Sequence, residues 1–320
     1  MDVWIGVAAF GVGIVVGLTG MGGGALMTPA LVLFFGVPPL AAVSSDLVAS
    51  AVMKPVGSLV HLRRRTVNLD LVKWLAAGSV PAAFCGVLIL KWMGPGEAVQ
   101  AGVQTALGSA LLLSAFLLAV RSYIAMVQRA KKRSAPTKVA APPEFRIRPV
   151  PTVILGVIGG VIVGMTSVGS GSIIIIGLMA LYPRLKANSL VGTDLLQAVP
   201  LVAAAALSHT LFGDLDLGLT IPLLLGSIPG VYLGAQFSSR LSGGFIRRAL
   251  AFVLLASGLK MLEVSNQTTA IALVVLLLTA PLAWMLLRRR HGLPALVVTE
   301  QHRRKQMAAS TAGTDSEQTP

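Results

Sequence analysis

Three apolar runs of about twenty residues each limit what this chain can fold into. They cover residues 71–90, 98–120 and 268–287 and contain few or no charges. Twenty residues of helix, at about 1.5 Å per residue, match the roughly 30 Å hydrocarbon core of a bilayer. Charged residues make up only 12% of the chain, against about 25% in a typical soluble domain. The sequence therefore predicts an all-α, multi-pass membrane protein.

The net charge of +14 raises the question of nucleic-acid binding. The basic residues form short clusters between the apolar runs, and no basic stripe is interleaved with aromatic residues. Loops with an excess of Lys and Arg are typical of the cytoplasmic side of a membrane. We therefore expect the lipid bilayer, and no nucleic acid, as the partner of this charge.

An internal repeat divides the chain into two halves. A glycine-rich segment at residues 17–24 (GLTGMGGG) aligns with residues 164–171 (GMTSVGSG) at an offset of 147. At an offset of 148, Asp46 aligns with Asp194, His61 with His209, and the Gly-Ser-x-Pro segment 78–81 with 226–229. A shared register over this length predicts two structurally related halves.

Loop charges predict that the halves have opposite orientations. Residues 63–65 are three arginines, whereas the matching loop at 211–216 has Asp214 and Asp216 and no base. The positive-inside rule puts the first loop in the cytoplasm and the second outside. The fold predicted is an inverted-topology repeat in a bacterial inner membrane, with the N-terminus outside and the C-terminus cytoplasmic.

The predicted segments follow from these boundaries. We expect a first transmembrane repeat at 1–120, a basic cytoplasmic loop at 121–149, a second repeat at 150–264, a final transmembrane helix at 265–290 and a disordered cytoplasmic tail at 291–320. Each half opens with two apolar arms around its glycine-rich break. If the arms are full spans, the chain has about eleven; if they are re-entrant, about seven.

The two glycine-rich breaks are the main candidate site. Irregular backbone at membrane depth is tolerated where it lines a cavity, and broken-helix ends present free N–H groups to an anion. Paired breaks in inverted halves indicate a transporter's midplane site. The alternative is close helix packing through small residues. The candidate substrate-binding residues in the breaks are Thr19, Gly20, Gly22, Gly23, Gly24, Thr166, Ser167, Gly169, Ser170 and Gly171.

Lys54 completes the candidate site. It lies within an apolar span, where an ionisable residue indicates function. It could provide the counter-charge for an anion. The second half has Val202 at the matching position. The alternatives are snorkelling toward the cytoplasmic interface and an ion pair with Asp46.

Two matched pairs of ionisable residues are candidates for gating or proton coupling. Asp46 and Asp194 follow small polar residues, so a helix N-cap or first-turn role is the alternative. His61 and His209 fall at opposite membrane faces in the predicted topology, which favours interfacial roles and argues against a shared metal. We expect no metal and no cofactor.

Motifs for catalysis and nucleotide binding do not occur in the sequence. The segment after Gly20 lacks the Lys-Ser/Thr of a phosphate-binding loop, and no nucleophile elbow is present. The chain is therefore not expected to be an enzyme or a primary pump. The function that remains is transport driven by an ion gradient or by the gradient of the substrate itself.

The break at 17–24, Pro29, the Ser45-Asp46 pair, His61 and the paired Gly-Ser-x-Pro segments resemble the TauE/SafE sulfite exporter family. The resemblance covers about residues 5–262. It implies a multi-pass inner-membrane permease for a small anion such as sulfite, an organosulfonate or a similar organic acid. We expect an exporter working by alternating access between the repeats. An uptake permease or channel on the same scaffold, and a non-transporting membrane enzyme or scaffold, are the alternatives; the sequence leaves homo-oligomerisation open.

Overall fold

The computed structural model describes residues 3–19, 23–63, 65–92, 94, 96–134, 146–183, 185, 187–237 and 243–290. Every regular element in these ranges is helical. The helices are α1 (Val3–Thr19), α2 (Met27–Phe35), α3 (Pro39–Arg63), α4 (Leu69–Trp92), α5 (Glu97–Ser134), α6 (Pro149–Thr166), α7 (Ile173–Leu181), α8 (Ala187–Phe212), α9 (Leu217–Phe237), α10 (Gly243–Met261) and α11 (Asn266–Arg290). The predicted tail at 291–320 and part of the predicted loop lie outside the described residues.

The described residues form two units. The larger comprises residues 3–121 and 146–269 and contains every described candidate site residue. The smaller comprises the C-terminal part of α5, which continues as helix to Ser134, and most of α11. The start of the segment predicted as a loop from residue 121 is therefore helical.

Six helices among the described residues are long and apolar enough to cross a membrane. They are α4, α5, α6, α8, α9 and α11. Large apolar side chains are exposed on their outer surfaces, including Ile221 and Leu225 of α9 and Ile154 of α6. Such a surface suits lipid contact, so the prediction of an all-α, multi-pass membrane protein is confirmed.

The short helices α2 and α7 follow the two glycine-rich breaks. Each has nine residues, which at 1.5 Å per residue gives about 14 Å, less than half of the hydrocarbon core. Helices α2 and α7 are therefore too short to be full spans, which favours the re-entrant alternative for these two arms.

Helix α1 packs against α9 through small residues. A Cβ atom at Gly226 would overlap the carbonyl oxygen of Gly6, and one at Gly13 would lie 2.7 Å from the carbonyl oxygen of Ser227. The two backbones are in contact, which only glycine permits at these positions. Dispersion contacts at such short range are a main source of helix association in membranes.

Helices α4 and α6 pack in the same manner. A Cβ atom at Gly78 would overlap the carbonyl oxygen of Val153, and one at Gly160 would overlap that of Ser79. The helix before each break therefore packs against a Gly-Ser-x-Pro helix from the other part of the sequence.

Replacing Gly226 with alanine tests this packing. We expect Gly226→Ala to lower the free energy of unfolding by about 1–3 kcal/mol because the added methyl overlaps the α1 backbone. Gly11→Ala is the matched control: a Cβ atom there has open space, and alanine favours helix by about 0.5–1 kcal/mol over glycine. Unfolding in mixed detergent–SDS micelles measures both, and equal effects would contradict the packing argument.

Candidate functional site

The break in the second half follows the end of α6 at Thr166. Ser167 adopts the left-handed conformation, with φ 59° and ψ −1°, and its N–H donates to the carbonyl of Val163 at 2.7 Å. The Thr166 hydroxyl accepts from the N–H of Val168 at 3.1 Å. Gly169 also has a positive φ, of 119°. A left-handed serine is uncommon and strained, which points to a functional constraint.

The break in the first half follows Thr19, whose hydroxyl donates to the carbonyl of Val15 at 2.9 Å. Gly23 and Gly24 form a buried 3-10 turn with Ala25. The candidate residues Gly20 and Gly22 lie outside the described residues. A Cβ atom at Gly24 would overlap the carbonyl of Ser167. The two breaks, more than 140 residues apart in sequence, are therefore in direct contact.

The Asp46 carboxylate joins these segments. It is fully buried on α3, and its Oδ2 accepts hydrogen bonds from the Ser167 hydroxyl at 2.6 Å and the Thr28 hydroxyl at 3.1 Å. A separation of about 2.5–2.7 Å is typical of a charge-assisted O–H···O⁻ bond. The other oxygen, Oδ1, has no hydrogen-bond partner, and a Cβ atom at Gly23 would lie 3.3 Å from it.

Lys54 lies eight residues beyond Asp46 on α3 and is 8% exposed. Its ammonium group donates to the Ser170 hydroxyl at 2.8 Å. The snorkelling alternative is wrong, because the charged end lies in the protein interior beside the second break. Within the described part of the chain, no carboxylate oxygen lies within 4.0 Å of Lys54 Nζ. The short ion pair with Asp46 is therefore also wrong, although Lys54 lies within electrostatic range of Asp46 and Asp194.

A small cavity lies between the second break and neighbouring segments. Its volume is about 10 Å³, room for about one water molecule. Hydroxyl groups dominate its polar surface, and the Ser172 hydroxyl donates to that of Ser114 on α5 at 2.9 Å. The lining residues are Ala25, Ser114, Ser167, Gly169, Ser170, Gly171 and Ser172. A polyatomic anion requires more space, so this arrangement is closed.

Asp194 is buried on α8, but its surroundings differ from those of Asp46. Its Oδ1, like that of Asp46, has no hydrogen-bond partner, but among the described residues no hydroxyl donates to its carboxylate as Ser167 and Thr28 do to Asp46. Gln197, one turn further along, accepts from the Ser79 hydroxyl at 3.1 Å, and its Nε2 has no partner. Asp46 and Asp194 are each the eighth residue of their helix. The N-cap or first-turn alternative is therefore wrong for both.

The two histidines occupy different environments. His209 is fully buried; its Nε2 donates to the carbonyl of Gly164 at 2.7 Å, and its Nδ1 shares a hydrogen bond of 2.9 Å with the Ser44 hydroxyl. The interfacial interpretation is wrong for His209, which ties α8 to the end of α6. His61 is half-buried and contacts the Thr66 hydroxyl at 3.0 Å.

The structure gathers most of the predicted site at one place: Lys54, Asp46 and residues of both breaks. Asp194 does not contact these residues and interacts with Lys54 only electrostatically, over a longer distance. The sequence analysis missed Thr28, Ser114 and Ser172. Thr28 and Ser172 could have been predicted, because each is a hydroxyl residue within four positions of a glycine-rich break. Nothing in the sequence around Ser114 marks it as a site residue. Within the described ranges, no three His, Cys, Asp or Glu residues are grouped as metal ligands would be.

Known proteins are similar to this chain over a continuous stretch that contains both breaks. The family model described as Sulfite exporter TauE/SafE matches residues 5–261. Two Bacillus subtilis proteins align over similar lengths. The probable membrane transporter protein YjnA is 39% identical over 252 residues, covering 78% of this chain and 96% of that protein. The probable membrane transporter protein YdhB is 25% identical over 256 residues, covering 79% and 97%. No solved structure matches.

A double-mutant cycle tests the Asp46–Ser167 contact. We expect Asp46→Ala and Ser167→Ala to be non-additive by about 1.5–3 kcal/mol in unfolding free energy, the usual contribution of a hydrogen bond to a charged group. Ser58→Ala is the matched control, because Ser58 donates to Pro55 in its own helix and lies about 18 Å along α3 from Asp46. Coupling as weak as that of the control pair would show that the contact is not formed.

Proposed function

This chain belongs to the sulfite exporter TauE/SafE family, and on that premise we propose that it is a secondary transporter that exports a small anion. Its relatives are named as membrane transporters. The cargo that we propose is sulfite, an organosulfonate or a similar small organic acid. The proposed location is the cell membrane, with the N-terminus outside and the C-terminus in the cytoplasm.

The observation that carries this proposal is the buried Lys54 ammonium group at the second break. It lies on α3, eight residues beyond Asp46, and donates to the hydroxyl of Ser170. A cation held at membrane depth is costly, and such residues mark substrate pathways. Beside it, the hydroxyls of Ser114, Ser167 and Ser172 line the cavity. A positive charge with hydroxyl groups beside it suits an anion with several oxygen atoms, and the buried carboxylates of Asp46 and Asp194 within electrostatic range of Lys54 limit how strongly it attracts one.

Alternating access explains how an anion passes a cavity of this size. The cavity of about 10 Å³ has to widen before an anion enters. We propose that the two halves, as inverted repeats, move against each other. Their reciprocal packing supports this proposal: Gly13 contacts Ser227 as Gly160 contacts Ser79, and these positions correspond at the repeat offsets of 147 and 148.

The proposed direction is outward. A second cavity of about 320 Å³ is lined by Asp214 and Asp216 and contains no base. This acidic cavity lies on the side that loop charges assign to the exterior. An acidic surface repels approaching anions and lowers their association rate, whereas it does not hold an anion that leaves. Slow re-entry suits a carrier whose substrate gradient points outward.

Flux measurements in proteoliposomes test the function through Lys54. We expect Lys54→Met to reduce the flux of labelled sulfite and labelled methanesulfonate by about 10- to 100-fold, because it removes a charge-assisted bond of about 1.5–3 kcal/mol. Lys73→Met is the matched control, because Lys73 is exposed and pairs with Asp70; we expect little change. Loading either side of the membrane should show faster flux from the cytoplasmic face.

Two results would contradict the proposal. Absence of sulfite, sulfonate and short-carboxylate flux in wild-type vesicles would remove the transport function. Full flux in Lys54→Met would remove Lys54 from the site. Flux that does not saturate with anion concentration would support the channel alternative.

A further inference from the structure

Asp194 is a buried carboxylate that the anion site does not use. Its residue is 2% exposed, and Oδ1 has no hydrogen-bond partner. The Gln197 side chain lies close enough to stabilise the charge of Asp194 in part, but its amide nitrogen does not complete a hydrogen bond. A charged carboxylate in an apolar interior is strongly unfavourable unless it is paired and hydrogen-bonded. A buried ionisable residue on a membrane-spanning helix is a candidate functional residue.

The matching carboxylate of Asp46 shows what Asp194 lacks. Asp46 receives two hydroxyl hydrogen bonds, from Ser167 and Thr28, which stabilise its negative charge. Asp194 has no hydroxyl donor within hydrogen-bond distance among the described residues, and the nearby Ser79 donates to Gln197 instead. Of the two positions, Asp194 is therefore the one where a proton is the better partner.

The charged groups around Asp194 come from two helices. Lys54 of α3 and Arg121 of α5 lie within electrostatic range. The other elements packed against α8 are α4, α6 and α7. Helices α6 and α7 contain no titratable residue. The charged residues of α4 are at its ends, where Asp70 pairs with Lys73, and Lys91 lies over the ring of Phe212.

We propose that Asp194 is a proton-binding site and that its proton is transported together with the anion. The proposal rests on the proposed anion transport. Lys54 provides the link because it is within range of Asp194 and hydrogen-bonded at the anion site. When Asp194 is ionised, its charge offsets that of Lys54. When Asp194 is protonated, only Asp46 still offsets the charge of Lys54, so Lys54 attracts the anion more strongly.

Cooperative binding follows from this arrangement. A proton on Asp194 strengthens anion binding, and by linkage a bound anion strengthens proton binding by the same factor. Coupling between sites is typically about 5- to 150-fold. A carrier loaded with one proton and one monovalent anion moves no net charge. Its direction then follows the combined gradients of the anion and the proton.

The test measures proton and anion movement together in vesicles containing the full chain. The vesicles enclose a pH-sensitive dye, the membrane potential is clamped with potassium and valinomycin, and labelled methanesulfonate is supplied outside. Methanesulfonate is the anion of a strong acid, so it carries no proton itself. We expect wild-type vesicles to acidify as the anion enters. The proton signal per anion should fall about tenfold or more in Asp194→Asn, and anion flux should lose its pH dependence.

Asp70→Asn is the matched control, because Asp70 is an exposed carboxylate paired with Lys73; its proton signal should equal that of the wild type. Anion entry into wild-type vesicles without acidification would overturn the proposal and leave the proposed transport function intact. Absence of any anion entry would contradict the transport function itself. An unchanged proton signal in Asp194→Asn would assign the proton to another group. If Asp194→Asn does not fold, Asp194→Glu takes its place: we expect it to keep the proton signal and to shift the pH at which anion flux changes, and an unshifted pH profile would overturn the proposal.

Discussion

The hydrogen bond from the Ser167 hydroxyl to the Asp46 carboxylate is the interaction on which the rest of the site depends. It connects helix α3 of the first half to the break of the second half at 2.6 Å. Ser167 has a left-handed backbone, a conformation that costs a non-glycine residue of order 1–3 kcal/mol. A bond to a charged carboxylate contributes a similar amount. The strained break is therefore stable while Asp46 holds it.

Close backbone packing makes this arrangement rigid. Glycines allow α1 to contact α9, and α6 to contact α4, without intervening side chains. Helices in such contact slide or rock as bodies and do not deform gradually. The breaks between them are the parts that can change shape, and they line the small cavity. Each break follows directly on one of these packed helices, α1 in the first half and α6 in the second.

The sequence predicts the helices, the breaks and the relevant ionisable residues, because each depends on local composition. It does not predict which of these meet. The bond from Lys54 to Ser170 joins residues 116 positions apart, and it arises from tertiary packing alone. Asp46 illustrates a local error: the serines before it suggested a helix start, but α3 begins at Pro39. Burial of His209 was missed because its contacts come from α3 and α6.

Reversible cross-linking across the cavity tests the central claim that the cavity must widen for an anion to pass. Ser114 and Ser172 line the cavity with their hydroxyl oxygens 2.9 Å apart, so the side chains of Ser114→Cys and Ser172→Cys would be in contact. Cys85, the one cysteine of the sequence, is replaced by serine so that only this pair can be oxidised. The account predicts that oxidation abolishes anion flux in proteoliposomes and that reduction restores it. Undiminished flux through the fully cross-linked protein would contradict the account.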